Sequence, residues 1–577
     1  MLNYNSKESN NKNLNLENLF PKKSNSFFNS QKNFSYDSKP MSFLPDLEEH
    51  VRKFVPNIKS KNNFKKVRKQ GNAYFLNKIN HDYGNFLVAI YEFTKGKSAE
   101  AIKRLQYILK TDTEFVGAVH LLIKIFTTLK ELKRTMEVLK LGIKRFPNDA
   151  HLKNLYGKFL ISVDGNKDEA VKYLEDALKD DPHNVAYWVD TGFSYYMLRN
   201  LPMAELCLTT ALKINQTDDQ VISFAGVILC EHNKLNEAIE LFTNALKLYP
   251  QNRQIIKNLA LYHLKNGDIE MGFRFWYATK DEDRVAAPSV NAVTRRIPWL
   301  FKTDLKATTK RLKILVYFEQ GIGDYLQFAR YLPYLKKLGH SVTAFGSKSV
   351  IDFVKQSNDL KNIKFTSEIK LVDKEEITEF DYQTYTFNLP YLLDFKNKIP
   401  PSYQLNTKKI INNNTKLLNK INGLIKPKCK TVAFSYKGRK QHVYDKSRSI
   451  DLKIFSKLFS NTNYQFFLVD KDIGEKDEIF LDKFKNVINC DSYLNNWNDT
   501  VTVISQLDEI ITVDTSLGHL GGVMNHPTSI LVHKNCDWRW GKSGDAEKTD
   551  WYKSVKIIRQ SQSDNWEEVI QKLYSNF

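Results

Sequence analysis

With 577 residues, 42% apolar and 26% charged, the sequence has an ordinary soluble composition and is too long for one compact core. No run approaches the roughly 18 uninterrupted apolar residues of a membrane span. The start, MLNYNSKESNNKNLNLENLF, lacks an apolar signal core, so a cytoplasmic location is expected. A formal charge of +21 admits nucleic acid, phosphorylated ligands or peripheral contact with an anionic membrane. The lysines, however, are spread along the chain among Asn, Ile and Phe, as an AT-biased genome would produce, and no nucleic-acid motif accompanies them. The cysteines Cys207, Cys230, Cys429, Cys490 and Cys536 are scattered and lack CxxC spacing. Reduced thiols are expected, with neither a disulfide framework nor a metal site.

In chain order, residues 1–64 are rich in Asn, Ser and Lys without a sustained period, and read as disordered apart from a short helix around Leu47 to Phe54. A helical period runs over 65–280 and contains repeats. Gly192, Ala204, Leu208 and Ala211 recur 34 residues later as Gly226, Ala238, Phe242 and Ala245. Ala260, Gly272 and Trp276 continue the register. Upstream, Gly157, Ala170, Leu174 and Ala177 match after one inserted residue in the turn Asp164-Gly165-Asn166. Small residues at such positions let two helices cross closely, and large ones fill the groove between units. This helix–turn–helix period resembles the tetratricopeptide repeat, which implies a superhelical array whose concave face binds a protein or peptide.

After a linker at 281–310, the pattern changes to apolar β-branched runs alternating with helices. Strands are predicted at 311–318, Ser341 to Phe345, Lys430 to Ser435, Gln465 to Asp470, Asn486 to Asn489, Glu509 to Val513 and Thr528 to Val532. This alternation predicts parallel sheets with crossover helices. Two sets, 311–405 and 430–577, are separated by the polar stretch 406–429 and read as two Rossmann-like lobes. In such sheets ligands sit at the carboxyl ends of strands. There, Gly321 and Gly323 permit close backbone approach, with Asp324 either capping the next helix or acting as a general base. At the second junction, Asp514, Thr515 and Ser516 open a helix suited to a diphosphate, with His519 one turn on.

The ordered motifs EQGIGDYLQFARYLPYL, GRKQHVYDKSRSIDL, VDTSLGHLGGVMNHPTSILV, DWRW and WYKSVKIIRQ, with Pro298-Trp299 at the junction, carry a further likeness. Together they resemble bacterial tetratricopeptide-repeat proteins with a heptosyltransferase-like domain. The layout is similar to that of the O-linked N-acetylglucosamine transferases. The resemblance implies an all-α repeat array followed by an α/β GT-B architecture, and an inverting glycosyltransferase using a nucleotide-sugar donor as substrate, with no cofactor and no metal. It implies Asp324 as the base, Arg448 with Lys446 near the donor phosphates, and Asp514, Thr515, Ser516 and His519 gripping the donor. The chain has Ser435-Tyr-Lys-Gly438 where such proteins carry Trp-Ala-Gly-Asn. Lys437 there is a candidate phosphate contact. The alternative implied by that departure is a repeat scaffold whose transferase-like domain is inactive.

Overall fold

The computed structural model describes residues 81–111, 115–163, 166–279, 297–307, 310–319, 321–368, 380–438, 445–471, 473–541, 547–561 and 565–575. The tail expected to be disordered, its short helix near Leu47 and most of the 281–310 linker lie outside them. Among the described residues, no helix is long and apolar enough to cross a membrane. The five cysteines are free thiols.

The helical region consists of consecutive hairpins: α1 (His81–Thr94) with α2 (Ser98–Thr111), α3 (Val116–Thr128) with α4 (Leu132–Arg145), and α5 (Ala150–Ser162) with α6 (Lys167–Asp180). They continue with α7 (Val185–Met197) and α8 (Leu201–Ile214), α9 (Asp219–Glu231) and α10 (Leu235–Leu248), and α11 (Arg253–Lys265) and α12 (Ile269–Ala278). Asn166, Asn200 and Asn252 cap helix starts with their side-chain oxygens. The small positions of the repeat are sterically obligatory: a Cβ on Gly157 would lie 2.6 Å from Leu174 Cγ, inside the hairpin.

Five of the six hairpins turn on a left-handed residue: Gly96, Lys130, Arg199, Asn233 and Gly267 have φ of 76°, 59°, 65°, 59° and 78°, and the turn between α5 and α6 lies in part outside the described residues. A side chain with a Cβ is strained in that conformation. Lys130 is exposed, so Lys130→Gly should stabilise the repeats by up to about 1 kcal/mol, read as a higher urea midpoint of their transition.

The chain divides into two compact units, one ending at Ala225 and one running from Gly226 onward. The second unit contains the last helices and both sheets. Sheet one has the order β3-β2-β1-β4, from β1 (Lys313–Tyr317), β2 (Ser341–Phe345), β3 (Lys364–Thr366) and β4 (Tyr382–Tyr385), all parallel. Sheet two has the order β10-β11-β9-β8-β5-β6-β7. Its strands are β5 (Lys430–Ser435), β6 (Tyr464–Leu468), β7 (Val487–Asn489), β8 (Glu509–Val513), β9 (Thr528–Val532), β10 (Lys548–Thr549) and β11 (Tyr552–Arg559). Only the β10–β11 pair is antiparallel. Central strands read as continuous apolar runs because helices cover both faces. Within 406–429 lie two short helices, Thr407–Asn412 and Thr415–Asn422.

In both sheets the strand order reverses beside a chemically loaded loop. Beyond β1 the chain turns into α13 (Ile322–Phe328). Beyond β8 it turns into α14 (Ser516–Met524). The reversals fall at β1/β4 and β5/β8, which is where open parallel sheets leave a crevice for ligands.

Candidate functional site

Asp324 occupies the third position of α13, so it is not the N-cap residue. Its carboxylate reaches back to accept a hydrogen bond from the Gly321 N–H at 2.9 Å. Gly321 itself is the N-cap, with φ of −87°, an ordinary extended conformation. The other carboxylate oxygen accepts from Arg539 Nη2 at 2.5 Å. Both partners are largely buried, 13% exposed for Arg539 and 14% for Asp324.

Arg539 is the organising residue of the site, and sequence reasoning gives it no role although its DWRW motif is part of the resemblance. Its Nε donates to Gln327 Oε1 at 3.1 Å and its Nη1 to Asp537 Oδ1 at 2.8 Å. Its guanidinium lies over the rings of Trp538 and Phe387, 4.3 and 5.5 Å from their centroids. The next residue, Trp540, is fully buried and donates its indole N–H to Asp514 Oδ1 at 2.6 Å. Adjacent residues of one tight turn (Trp538–Trp540) thus hold the carboxylates that follow β1 and β8.

Burial drives the electrostatics. It pushes the Asp324 carboxyl above the usual carboxylate range, opposed by the Arg539 charge and the Gly321 N–H. It pushes Asp514 up to about 6, with the Asp537 charge adding to the effect. His519 is buried and held neutral, well below its usual range, by desolvation and then by the charges of Arg539 and Arg330. Its Nδ1 lies 3.0 Å from Tyr552 Oη.

Helices α13 and α14 pack face to face, and Gly323 is what allows it. A Cβ there would sit 2.5 Å from His519 Cδ2. Thr515 caps α14, accepting from the Leu517 N–H at 3.3 Å, and its hydroxyl lies 3.0 Å from that of Thr512. Ser516 is the first residue of α14 and half-buried. Arg448 donates from Nη1 to the Asp514 carbonyl at 3.0 Å and lies flush against Gly438, where a Cβ would come within 2.4 Å of its Nη2. Asp324, Gly321, Gly323, Arg448, Asp514, Thr515, Ser516 and His519 therefore share one neighbourhood.

Lys437 is differently engaged. Its Nζ donates to the Ile473 carbonyl at 2.6 Å and to Asp477 Oδ2 at 3.0 Å, and Tyr436 Oη donates to that same carboxylate oxygen. These contacts tie β5 to the helix Glu475–Leu481. The Lys446 side chain lies outside the described residues.

Just beyond β6, Asp470 is half-buried, with its Oδ2 shut off from solvent. Burial raises its carboxyl to about 7 despite hydrogen bonds from Ser435 and the Tyr436 N–H. The folded state therefore binds this proton more tightly than the unfolded chain. Stability attributable to the group is greatest below about pH 4 and falls as pH rises towards about pH 7. Asp470→Asn should remove that loss, raising stability at about pH 8 by roughly 2–4 kcal/mol more than at about pH 4. Melting curves across pH check it.

No protein-family model matches the chain. A search of characterised proteins finds human cilia- and flagella-associated protein 70, 28% identical over 123 residues. That match covers 21% of this chain and spans only 11% of the relative's length. Among solved structures, the tetratricopeptide-repeat protein TTC0263 of Thermus thermophilus aligns at 17% identity. It covers 32% of this chain and 99% of its own, with a TM-score of 0.29. PilW, a type IV pilus biogenesis factor, aligns at 17% identity over 34% of this chain and 91% of its own, with a TM-score of 0.31.

The decisive observation is internal: helical hairpins in one register, five of them turned by a left-handed residue at the equivalent place. The chain carries a tetratricopeptide-like repeat array. In the last repeat, α12 departs from the array's pattern. Phe273, Phe275, Trp276 and Tyr277 are all buried, since this helix packs on the sheet-bearing part of its unit and not on a further repeat.

Proposed function

We propose that the tetratricopeptide-like array recruits a protein or peptide partner, and that the two parallel-sheet lobes form a GT-B-type unit that transfers a sugar from a nucleotide-sugar donor to a hydroxyl acceptor. The observation that supports this reading most is the pairing of two buried carboxylates. Asp324 and Asp514 follow β1 and β8 at the two reversals of strand order, and are held by adjacent residues, Arg539 and Trp540. In this reading Asp324 takes the proton of the acceptor hydroxyl as it attacks the anomeric carbon. The anomeric C–O bond breaks on the opposite face, and the configuration inverts. Arg448 and the positive end of the α14 dipole stabilise the departing diphosphate. Asp514 accepts hydrogen bonds from the donor.

A second reading, a repeat scaffold whose transferase-like unit binds without turning over, draws on two specific contacts. Both Asp324 oxygens are already engaged, and Lys437 is committed to Asp477. Both readings expect the purified chain to be stabilised by one class among UDP-, GDP-, ADP- and CMP-linked sugars. At a hundredfold excess over Kd the gain is about 2.7 kcal/mol. A thermal-shift panel in which no nucleotide sugar has any effect would count against both.

A further inference from the structure

The turn that carries Arg539 is also gripped by side chains of the last two repeat hairpins. Three side chains make the grip. Glu231, at the end of α9, accepts through Oε2 from Asn535 Nδ2 at 2.7 Å. Lys265, at the end of α11, reaches the Asn535 carbonyl at 3.5 Å with its Nζ and also contacts Cys230 Sγ at 3.1 Å. Phe273, in the middle of α12, packs edge-on against Trp538, with centroids 5.9 Å apart. The same phenylalanine ring stands 5.7 Å from Phe328, the last residue of the helix that carries Asp324 and Gln327. It also stands 6.4 Å from Phe387, over which the Arg539 guanidinium lies. Phe273 is 1% exposed. One repeat side chain therefore braces both the element that supplies the arginine and the element that supplies the carboxylate.

We infer that Phe273, with Glu231 and Lys265, positions Arg539 against Asp324, so that the final repeats are a structural wall of the candidate site and not only a tether for a partner. The physical reason is geometric. A guanidinium engaging Asp324, Asp537 and Gln327 at once tolerates little displacement of its backbone. The turn is also held by the Trp540–Asp514 contact beyond β8, by Arg559 donating to the Trp540 carbonyl at 3.0 Å and by Thr549 donating to the Arg539 carbonyl at 3.1 Å. Aromatic edge contacts on a fully packed ring fix position to a fraction of an ångström, because interiors do not deform continuously. The consequence for transfer rests on the proposed function. The positioning itself does not.

The test uses the full chain and hydrogen exchange. Asn535→Ala and Phe273→Leu are compared with the wild type, and Phe273→Ala is added for a larger effect. Peptides covering 321–329 and 534–541 should exchange about tenfold faster in the variants, while peptides covering β6 and β7 keep the wild-type rate. Wild-type rates in both segments in Asn535→Ala and Phe273→Leu would overturn the inference, as would a uniform increase across all peptides in those two milder variants. With an active donor, kcat should fall in Phe273→Ala, donor KM should stay unchanged, and Phe273→Leu should recover part of the loss. A rise in donor KM with kcat intact would contradict the positioning role. If the wild type turns over no donor but the exchange pattern appears as expected, the transferase reading fails and the positioning stands.

Discussion

Asp324→Asn is expected to fold like the wild type and to lose about 10²- to 10⁴-fold in kcat, the usual contribution of a positioned general base. The amide oxygen can still accept from the Gly321 N–H, and Arg539 keeps Asp537 and Gln327 as partners. The stability cost is therefore that of one altered hydrogen bond, about 1 kcal/mol. Because the exchanged group holds the proton and not the donor, the donor-induced thermal shift should survive. A variant that turns over at the wild-type rate would remove Asp324 from the chemistry. One that loses donor binding along with turnover would make it a binding residue.

Arg539→Met should have the largest effect on the folded state, a loss of roughly 3–5 kcal/mol, the usual cost of breaking a buried ion pair from one side. It removes the charge that opposes protonation of Asp324, leaves that carboxyl largely buried with the Gly321 N–H as its donor, and leaves Gln327 Oε1 without the arginine. Methionine fills much of the volume over Trp538 and Phe387, so the deficit is mainly electrostatic. The double variant Asp324→Asn/Arg539→Met should recover part of it, giving a coupling energy on the order of 2 kcal/mol. Additive losses measured by urea unfolding would mean that the 2.5 Å contact contributes nothing in solution.

The repeats were legible because a 34-residue period is written several times over, and chance does not align Gly192, Gly226 and Gly157 with their Ala and Leu partners. Strands buried on both faces, such as Glu509–Val513 and Thr528–Val532, announce themselves as apolar runs. Tyr382–Tyr385 does not: YQTY is polar, and it is a strand because its backbone pairs with Ile314–Tyr317 on one side and with Pro298 and Leu300 on the other. Tyr552–Arg559 mixes lysines into its pattern, since some of its side chains face solvent. The helices in 406–429 are short and rich in Asn and Lys, which reads as a linker until Ile410 and Ile421 are seen to be buried.

At the site, the positions of Asp324 and Asp514 after strands were legible. Spacing alone left each as either a helix cap or a site residue, and the resemblance supplied the roles. Arg539 was not legible, since it lies 215 residues from Asp324 and nothing local distinguishes its motif from a surface turn. Lys437 shows the converse. Next to a strand end it looks like a phosphate ligand, yet Asp477, 40 residues away, already engages it.

The measurement that bears most directly on the whole account is nucleotide release by the purified full chain from UDP-, GDP-, ADP- and CMP-linked sugars, run beside Asp324→Asn. The wild type should release nucleotide from one donor class, and the variant should release none above background. Stabilisation of both proteins by a donor with release by neither would instead establish the scaffold reading, and equal release by both would contradict the role assigned to Asp324.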